Sequence, residues 1–163
     1  NYAMREYIVI YNVNSRGKNL SKEYLTQLFE KNQLKSKIFM TRSTSEVENI
    51  IEKYSNDNKY SYCAIGGDGT INSLIDVLLK MGLTNPIVGC LPSGSGSDFL
   101  RTFAIPQDIE KAIKHLKGDT TYLIDTAIVK SSNREKHFVN VLNFGFLADT
   151  VEMSEKLQKI FRI

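Results

Sequence analysis

The sequence predicts an α/β fold, a mainly parallel sheet flanked by helices. Three observations carry that prediction. The apolar runs 7–11, 60–65 and 87–91 are continuous rather than alternating, as in strands covered on both faces. Between them lie stretches whose apolar residues recur at helical spacing. Two glycine-rich loops stand where a strand run gives way to a helical one.

The first strand run, Tyr7-Ile8-Val9-Ile10-Tyr11, leads into a polar loop over residues 12–19 that has no periodicity. Arg16 and Lys18 in that loop are either phosphate contacts or solvated charges. Tyr24, Leu25, Leu28 and Phe29 form the apolar face of a first helix, with Ser21 or Asn19 as its cap. A short strand over residues 37–41 follows. The next helix turns Val47, Ile50, Ile51 and Tyr54 inward, and Ser43 with Glu46, or Ser45 with Glu48, would close a capping box. Residues 56–59 make a turn ahead of the central strand, and Asn85-Pro86 marks another ahead of strand 87–91. Ile109, Ala112, Ile113 and Leu116 define a helix that Gly118 ends.

Beyond it, residues 121–129 read as a strand, 131–136 as a hydrophilic hairpin turn and 138–146 as a further strand. Residues 150–163 read as an amphipathic helix through Val151, Met153, Leu157, Ile160 and Phe161. Its apolar stripe has no partner in the first domain, so it is expected to pack on a second copy, as a homodimer, or to be poorly ordered.

The chemistry concentrates in Gly66-Gly67-Asp68-Gly69-Thr70-Ile71-Asn72, between strand 60–65 and a helix marked by Ile71, Leu74, Ile75, Leu78 and Leu79. Glycine there lets backbone N–H groups approach a ligand where a Cβ would clash. The helix start presents unpaired N–H groups and a positive dipole end, which suit an anion such as phosphate. Asp68 adds a carboxylate that makes sense beside a cation or a transferred proton. The alternative is a βα turn whose Asp68 and Thr70 only cap the helix. A second loop, Pro92-Ser93-Gly94-Ser95-Gly96-Ser97-Asp98-Phe99, pairs a hydroxyl, Ser95, and glycine N–H groups with another carboxylate, Asp98. Asp125 lies inside an apolar strand, where it needs pairing or coordination unless it faces solvent on an edge.

Several classes are excluded or disfavoured. Gly94-x-Gly96 lacks the third glycine of a dinucleotide fingerprint, and no Gly-Lys-Ser/Thr phosphate loop occurs. A net charge of +3 does not describe a nucleic-acid binder, though it does not oppose an anionic membrane or a nucleotide. Cys63 and Cys90 sit in apolar runs as small buried hydrophobes of a reducing compartment. No Cys/His spacing suggests zinc, and His115 and His137 have no catalytic neighbour in sequence. No apolar run is long enough to cross a bilayer, and no signal peptide is seen. Met4 is expected to be the native start, so residues 1–3 are left out of the functional reading.

Gly66-Gly67-Asp68-Gly69-Thr70-Ile71-Asn72 resembles the Gly-Gly-Asp-Gly-Thr-x-Asn signature of the diacylglycerol kinase catalytic domain family, lipid kinases that include the sphingosine kinases. NAD kinases and phosphofructokinases are more distant relatives with a similar element. Leu91-Pro92-Ser93-Gly94-Ser95-Gly96-Ser97-Asp98-Phe99-Leu100-Arg101 is similar to the family's Leu-Pro-x-Gly-Thr-x-Asn-Asp-Phe-x-Arg, with Ser95 for threonine and Ser97 for asparagine. In the first loop Asn12, Asn14, Ser15 and Gly17 are kept, and Val13 stands where proline is usual.

The resemblance implies an NAD kinase/phosphofructokinase-like nucleotide-binding domain over residues 4–130, and the start of a second, mostly β domain over 131–163. It implies an ATP-dependent kinase that moves the γ-phosphoryl group to a lipid hydroxyl, that of diacylglycerol first. Gly66, Gly67, Gly69 and Thr70 would hold the phosphates, with Asn12 and Ser95 as further nucleotide contacts. Asp68, Asp98 and Asp125 would organise Mg2+ and water as the catalytic and metal-binding set. The family's catalytic base belongs to the second domain, and Asp149, Glu152 and Glu155 do not match its motif. The expected setting is cytoplasmic and peripheral to a membrane, without nucleic acid. The alternatives are a non-catalytic nucleotide-binding or interaction module, or an NAD kinase-like small-molecule kinase.

Overall fold

The computed structural model describes residues 5–17, 19–94, 97–118, 121, 123–139 and 158–162. Four strands, β1 (Glu6–Asn12), β2 (Lys35–Thr41), β3 (Tyr60–Ile65) and β4 (Val88–Leu91), form one parallel sheet in the order β2-β1-β3-β4. Helices α1 (Lys22–Lys31), α2 (Thr44–Tyr54) and α3 (Asp68–Lys80) supply the crossovers. The expected mainly parallel α/β sheet is what forms, and the reason is visible in β1. Tyr7, Ile8, Val9, Ile10 and Tyr11 are all buried, so both faces of that strand are covered.

The helices start where their chemistry allows. Ser21 accepts the Tyr24 N–H at the head of α1, and Ser43 accepts the Glu46 N–H at the head of α2. Glu46 reaches back to the Arg42 N–H rather than to that of Ser43, so the capping box is completed one residue early. Ile71, Leu74, Ile75 and Leu78 of α3 are buried, against a core that also holds Leu25, Phe29 and Ile51. After β4 come α4 (Asp98–Thr102), α5 (Ile109–Ala112) and a 3-10 helix (Ile113–Lys117), so the helix expected before Gly118 forms but tightens in its second half.

A second sheet is antiparallel, in the order β6-β5-β7, from β5 (Leu123–Ser131), β6 (Arg134–Phe138) and β7 (Gln158–Arg162). Two expectations are corrected here. The hydrophilic stretch 131–136 is mostly strand, with only residues 132 and 133 in the turn. Charged side chains on a hairpin reflect a solvated face, not a loop. The amphipathic helix expected over 150–163 is contradicted at its end, where residues 158–162 pair with β5. Ile160 and Phe161 fit a helical stripe, but a β-branched and an aromatic residue also suit a strand once one is at hand. That pairing gives this segment a partner within the chain. Residues 140–157, with the expected strand 140–146 and with Asp149, Glu152 and Glu155, lie outside the described residues.

Candidate active site

In the parallel sheet, β1 is followed by a neighbour on one side, β2, and the chain then returns to its other side as β3. The loops after β1 and β3 therefore diverge and leave a crevice at the carboxyl ends of the strands, the place where open α/β sheets bind ligands. A cleft of about 420 Å³ occupies it. The end of β1 and its loop contribute Asn12, Ser15 and Arg16; the loop after β3 and the first turn of α3 contribute Gly66, Gly67, Gly69 and Thr70; the loop after β4 contributes Ser93, Gly94 and Ser97. A second hollow of about 410 Å³ lies near the amino ends of the strands, between Tyr7, Val88, Phe103 and Leu116, and gathers none of the motif residues.

Each loop is held by short-range chemistry. Asn12 folds its side chain over its own turn, accepting the Asn14 N–H at 2.9 Å, while its carbonyl accepts the Ser15 hydroxyl at 2.7 Å. Gly17 has a φ of 150°, and a Cβ there would lie 2.7 Å from the Ser93 carbonyl oxygen, so the first and third loops touch only because the residue is glycine. Gly66 donates to the Leu91 carbonyl at 3.1 Å, tying the second loop to β4. A Cβ on Gly66 would stand 2.5 Å from Thr70 Oγ1, so this position too must be glycine.

Gly67 is the N-cap of α3 and provides no side-chain cap. The first N–H groups of the helix are consequently left to the cleft, as an anion site requires. Asp68 does not cap its own helix. Its Oδ1 accepts the Ser97 hydroxyl at 2.6 Å and the Phe99 N–H at 3.3 Å, which fastens the start of α3 to the start of α4. Ser97 Oγ in turn accepts the Leu100 N–H at 3.2 Å. The serine that stands in place of the family's asparagine thus caps α4 and donates to Asp68 with one hydroxyl. Oδ2 of Asp68 takes no hydrogen bond among the described residues.

The expected site residues are brought together unequally. Asn12, Gly66, Gly67, Gly69 and Thr70 all line the cleft; Asp68, between Gly67 and Gly69 in the chain, is not itself in the lining and turns to Ser97 and Phe99. Asp98 is about half exposed and pairs with Arg101 at 2.9 Å, away from the lining. Asp125 lies on β5 at a register shift opposite β7; its side chain, and Ser95 and Lys18 entirely, are outside the described residues. Among the described residues no group of three or more Asp, Glu, His or Cys side chains converges on one point. Burial pushes both thiols up, and the charge of Asp68 adds to the rise at Cys90.

Ser93 and Ser97 were missed as site residues because serines in a Ser/Gly-rich stretch carry no pattern of their own. Also missed was a buried pair outside the cleft, Asp76 with His137 at 3.2 Å. A polar Asn72, Asp76, Lys80 stripe on an apolar helix was the available signal.

Comparison with known proteins settles the family. The sequence profile of the diacylglycerol kinase catalytic domain matches residues 6–129. The chain belongs to this family. It is 30% identical over 155 residues to the Enterobacter sp. (strain 638) protein named "Probable lipid kinase YegS-like", covering 94% of this chain and 50% of the relative. To the Escherichia fergusonii "Probable lipid kinase YegS" it is 30% identical over 147 residues, covering 87% of this chain and 48% of the relative. This member of the diacylglycerol kinase catalytic domain family therefore spans about half the length of the curated relatives it matches. Its fold is shared with a crystal structure of a diacylglycerol kinase from Bacillus anthracis str. Sterne, at a TM-score of 0.64 and 21% identity, over 83% of this chain and 50% of that one.

Proposed function

We propose that this chain is the nucleotide-binding part of an ATP-dependent lipid kinase that transfers the γ-phosphoryl group to a lipid hydroxyl, that of diacylglycerol first. The observation that carries the reading is the cleft between three loops, where the uncapped start of α3 faces Arg16 and the hydroxyls of Thr70, Ser93 and Ser97. Such a site offers backbone N–H groups, one guanidinium and several hydroxyl donors to phosphate oxygens. In phosphoryl transfer the protein chiefly positions groups and offsets charge, and this donor set suits that task.

Mg2+ keeps most of its water and takes one or two protein carboxylates beside substrate phosphates, so a single carboxylate set between the cleft-lining Gly67 and Gly69 fits it. Asp68, with Oδ2 uncommitted, is the residue we assign to it; Asp98 and Asp125 are the remaining members of the proposed set. When bound, the ion would neutralise charge on the transferred phosphoryl group. Ser97 and the Phe99 N–H hold the Asp68 carboxylate in place, and Ser95 is proposed as a further nucleotide contact. No helix among the described residues is long and apolar enough to cross a membrane, so we place the lipid encounter at a bilayer surface.

Calorimetry with ATP and ADP, with and without Mg2+, tests the reading. Magnesium-dependent binding is expected, weakened about tenfold or more by Asp68→Ala with the fold intact. The longest native form, given labelled ATP, diacylglycerol vesicles and NAD in parallel, should phosphorylate the lipid and not NAD. Unchanged affinity and turnover in Asp68→Ala would sink the assignment, and phosphorylation of NAD instead would move the chain to the small-molecule kinases.

A further inference from the structure

Asn72 closes the glycine-rich motif, yet it does not line the cleft. It points from α3 to the end of β6, where its Oδ1 accepts the N–H of Val139, the residue after the strand, at 2.7 Å. One helical turn on, Asp76 Oδ1 accepts the His137 N–H, also at 2.7 Å. The spacing explains why two bonds form. Four residues of helix rise about 6 Å, and two residues of strand advance about 6.6 Å, so helix positions four apart meet strand positions two apart.

Among the described residues β6 is an edge strand, paired on one side with β5. On its other side, where a further strand would supply carbonyl acceptors, α3 supplies a carboxamide and a carboxylate instead, which covers the edge. Asp76 is fixed further by Lys80 Nζ at 2.8 Å and by the His137 ring at 3.2 Å, and both Asp76 and His137 are buried. The contact is therefore directional, with the buried Asp76 and His137 at its centre, not a loose apolar touch.

We infer that Asn72 and Asp76 are positioning residues that register the second sheet against the helix whose first turn forms the phosphate site. The inference rests on the nucleotide reading given above and adds a consequence to it. A ligand that orders the start of α3 also stabilises the docking of β6, and by reciprocity the docking tightens the nucleotide site. The second sheet is thereby held at a fixed height relative to the phosphates, which is what an acceptor substrate delivered from that side needs.

Amide hydrogen exchange at His137 and Val139, with and without ADP and Mg2+, reads this directly in the whole chain. Without nucleotide, Asn72→Ala should speed exchange at Val139 about tenfold, and Asn72→Asp, which keeps an acceptor, should restore protection. Nucleotide should slow exchange at both amides in the wild type, and Asn72→Ala should bind it several-fold more weakly, with Asn72→Asp close to the wild type. If Asn72→Ala folds poorly, the wild-type response to nucleotide decides. Protection at both amides that ignores nucleotide bound with good affinity would overturn the inference while leaving the nucleotide site standing. A wild type that binds no nucleotide would defeat the kinase reading and the coupling together, with the docking itself still judged by exchange in the free chain.

Discussion

Cys90, on β4, shows how a carboxylate of the glycine-rich motif acts on a buried thiol. Both cysteines are fully enclosed, and each thiol is pushed up by burial; at Cys90 the neighbouring charge of Asp68 works in the same direction. A thiol held above its ordinary range stays protonated, and a protonated buried thiol is a poor nucleophile. Neither cysteine should react with a disulfide reagent in the native chain at pH 8, whereas both should react on denaturation, as thiol titration would show. The sign of the pH effect follows. As pH rises past the ordinary thiol pKa the unfolded chain loses these protons and the folded chain does not, so stability falls. Urea midpoints should therefore drop between pH 8 and 10, and less so in Cys63→Ala, since its thiol no longer contributes. The burial of both thiols was legible in the sequence from the apolar runs around them. The reach of Asp68 to Ser97 was not, because twenty-nine positions separate the two in the chain.

At the scale of one element, α3 performs three tasks along thirteen residues. Its start faces the cleft, its middle fills the core and its polar stripe meets β6. These demands conflict at Gly69, inside the first turn. A Cβ there would meet nothing within 4 Å, so the fold does not require glycine. Alanine favours helix over glycine by about 1 kcal/mol. Gly69→Ala should thus raise the thermal midpoint while weakening nucleotide binding, because the added methyl projects into the phosphate site. Gly66→Ala should lower both, since Thr70 occupies the space its methyl needs. Differential scanning fluorimetry beside calorimetry separates the two patterns. The apolar periodicity of α3 could be read in advance, and so could the glycines at its head. The meaning of Asn72 and Asp76 could not, since it depends on a strand more than sixty residues later. The last segment failed for a similar reason: residues 158–162 answer to β5, not to their own helical spacing.

For the molecule as a whole, the order β2-β1-β3-β4 has a kinetic consequence. β1 lies between β2, which follows it through one helix, and β3, which follows it through α1, β2 and α2. Tyr7, Ile8, Val9, Ile10 and Tyr11 are buried in the core with residues of both neighbours, and that apolar burial repays the closure of the intervening chain. The second sheet closes loops no longer than these, but among its described residues β5 reaches that core only through the partly buried Ile124. The rate-limiting ensemble is therefore expected to contain β1 with its neighbours and to lack the second sheet. In stopped-flow denaturant chevrons, Val9→Ala should slow refolding, whereas Ile128→Val should chiefly hasten unfolding. Equal partition of both variants between the two arms would show that the sheets assemble together. The strand laid down between β2 and β3 would then be the thermodynamic centre of the domain without being its nucleus.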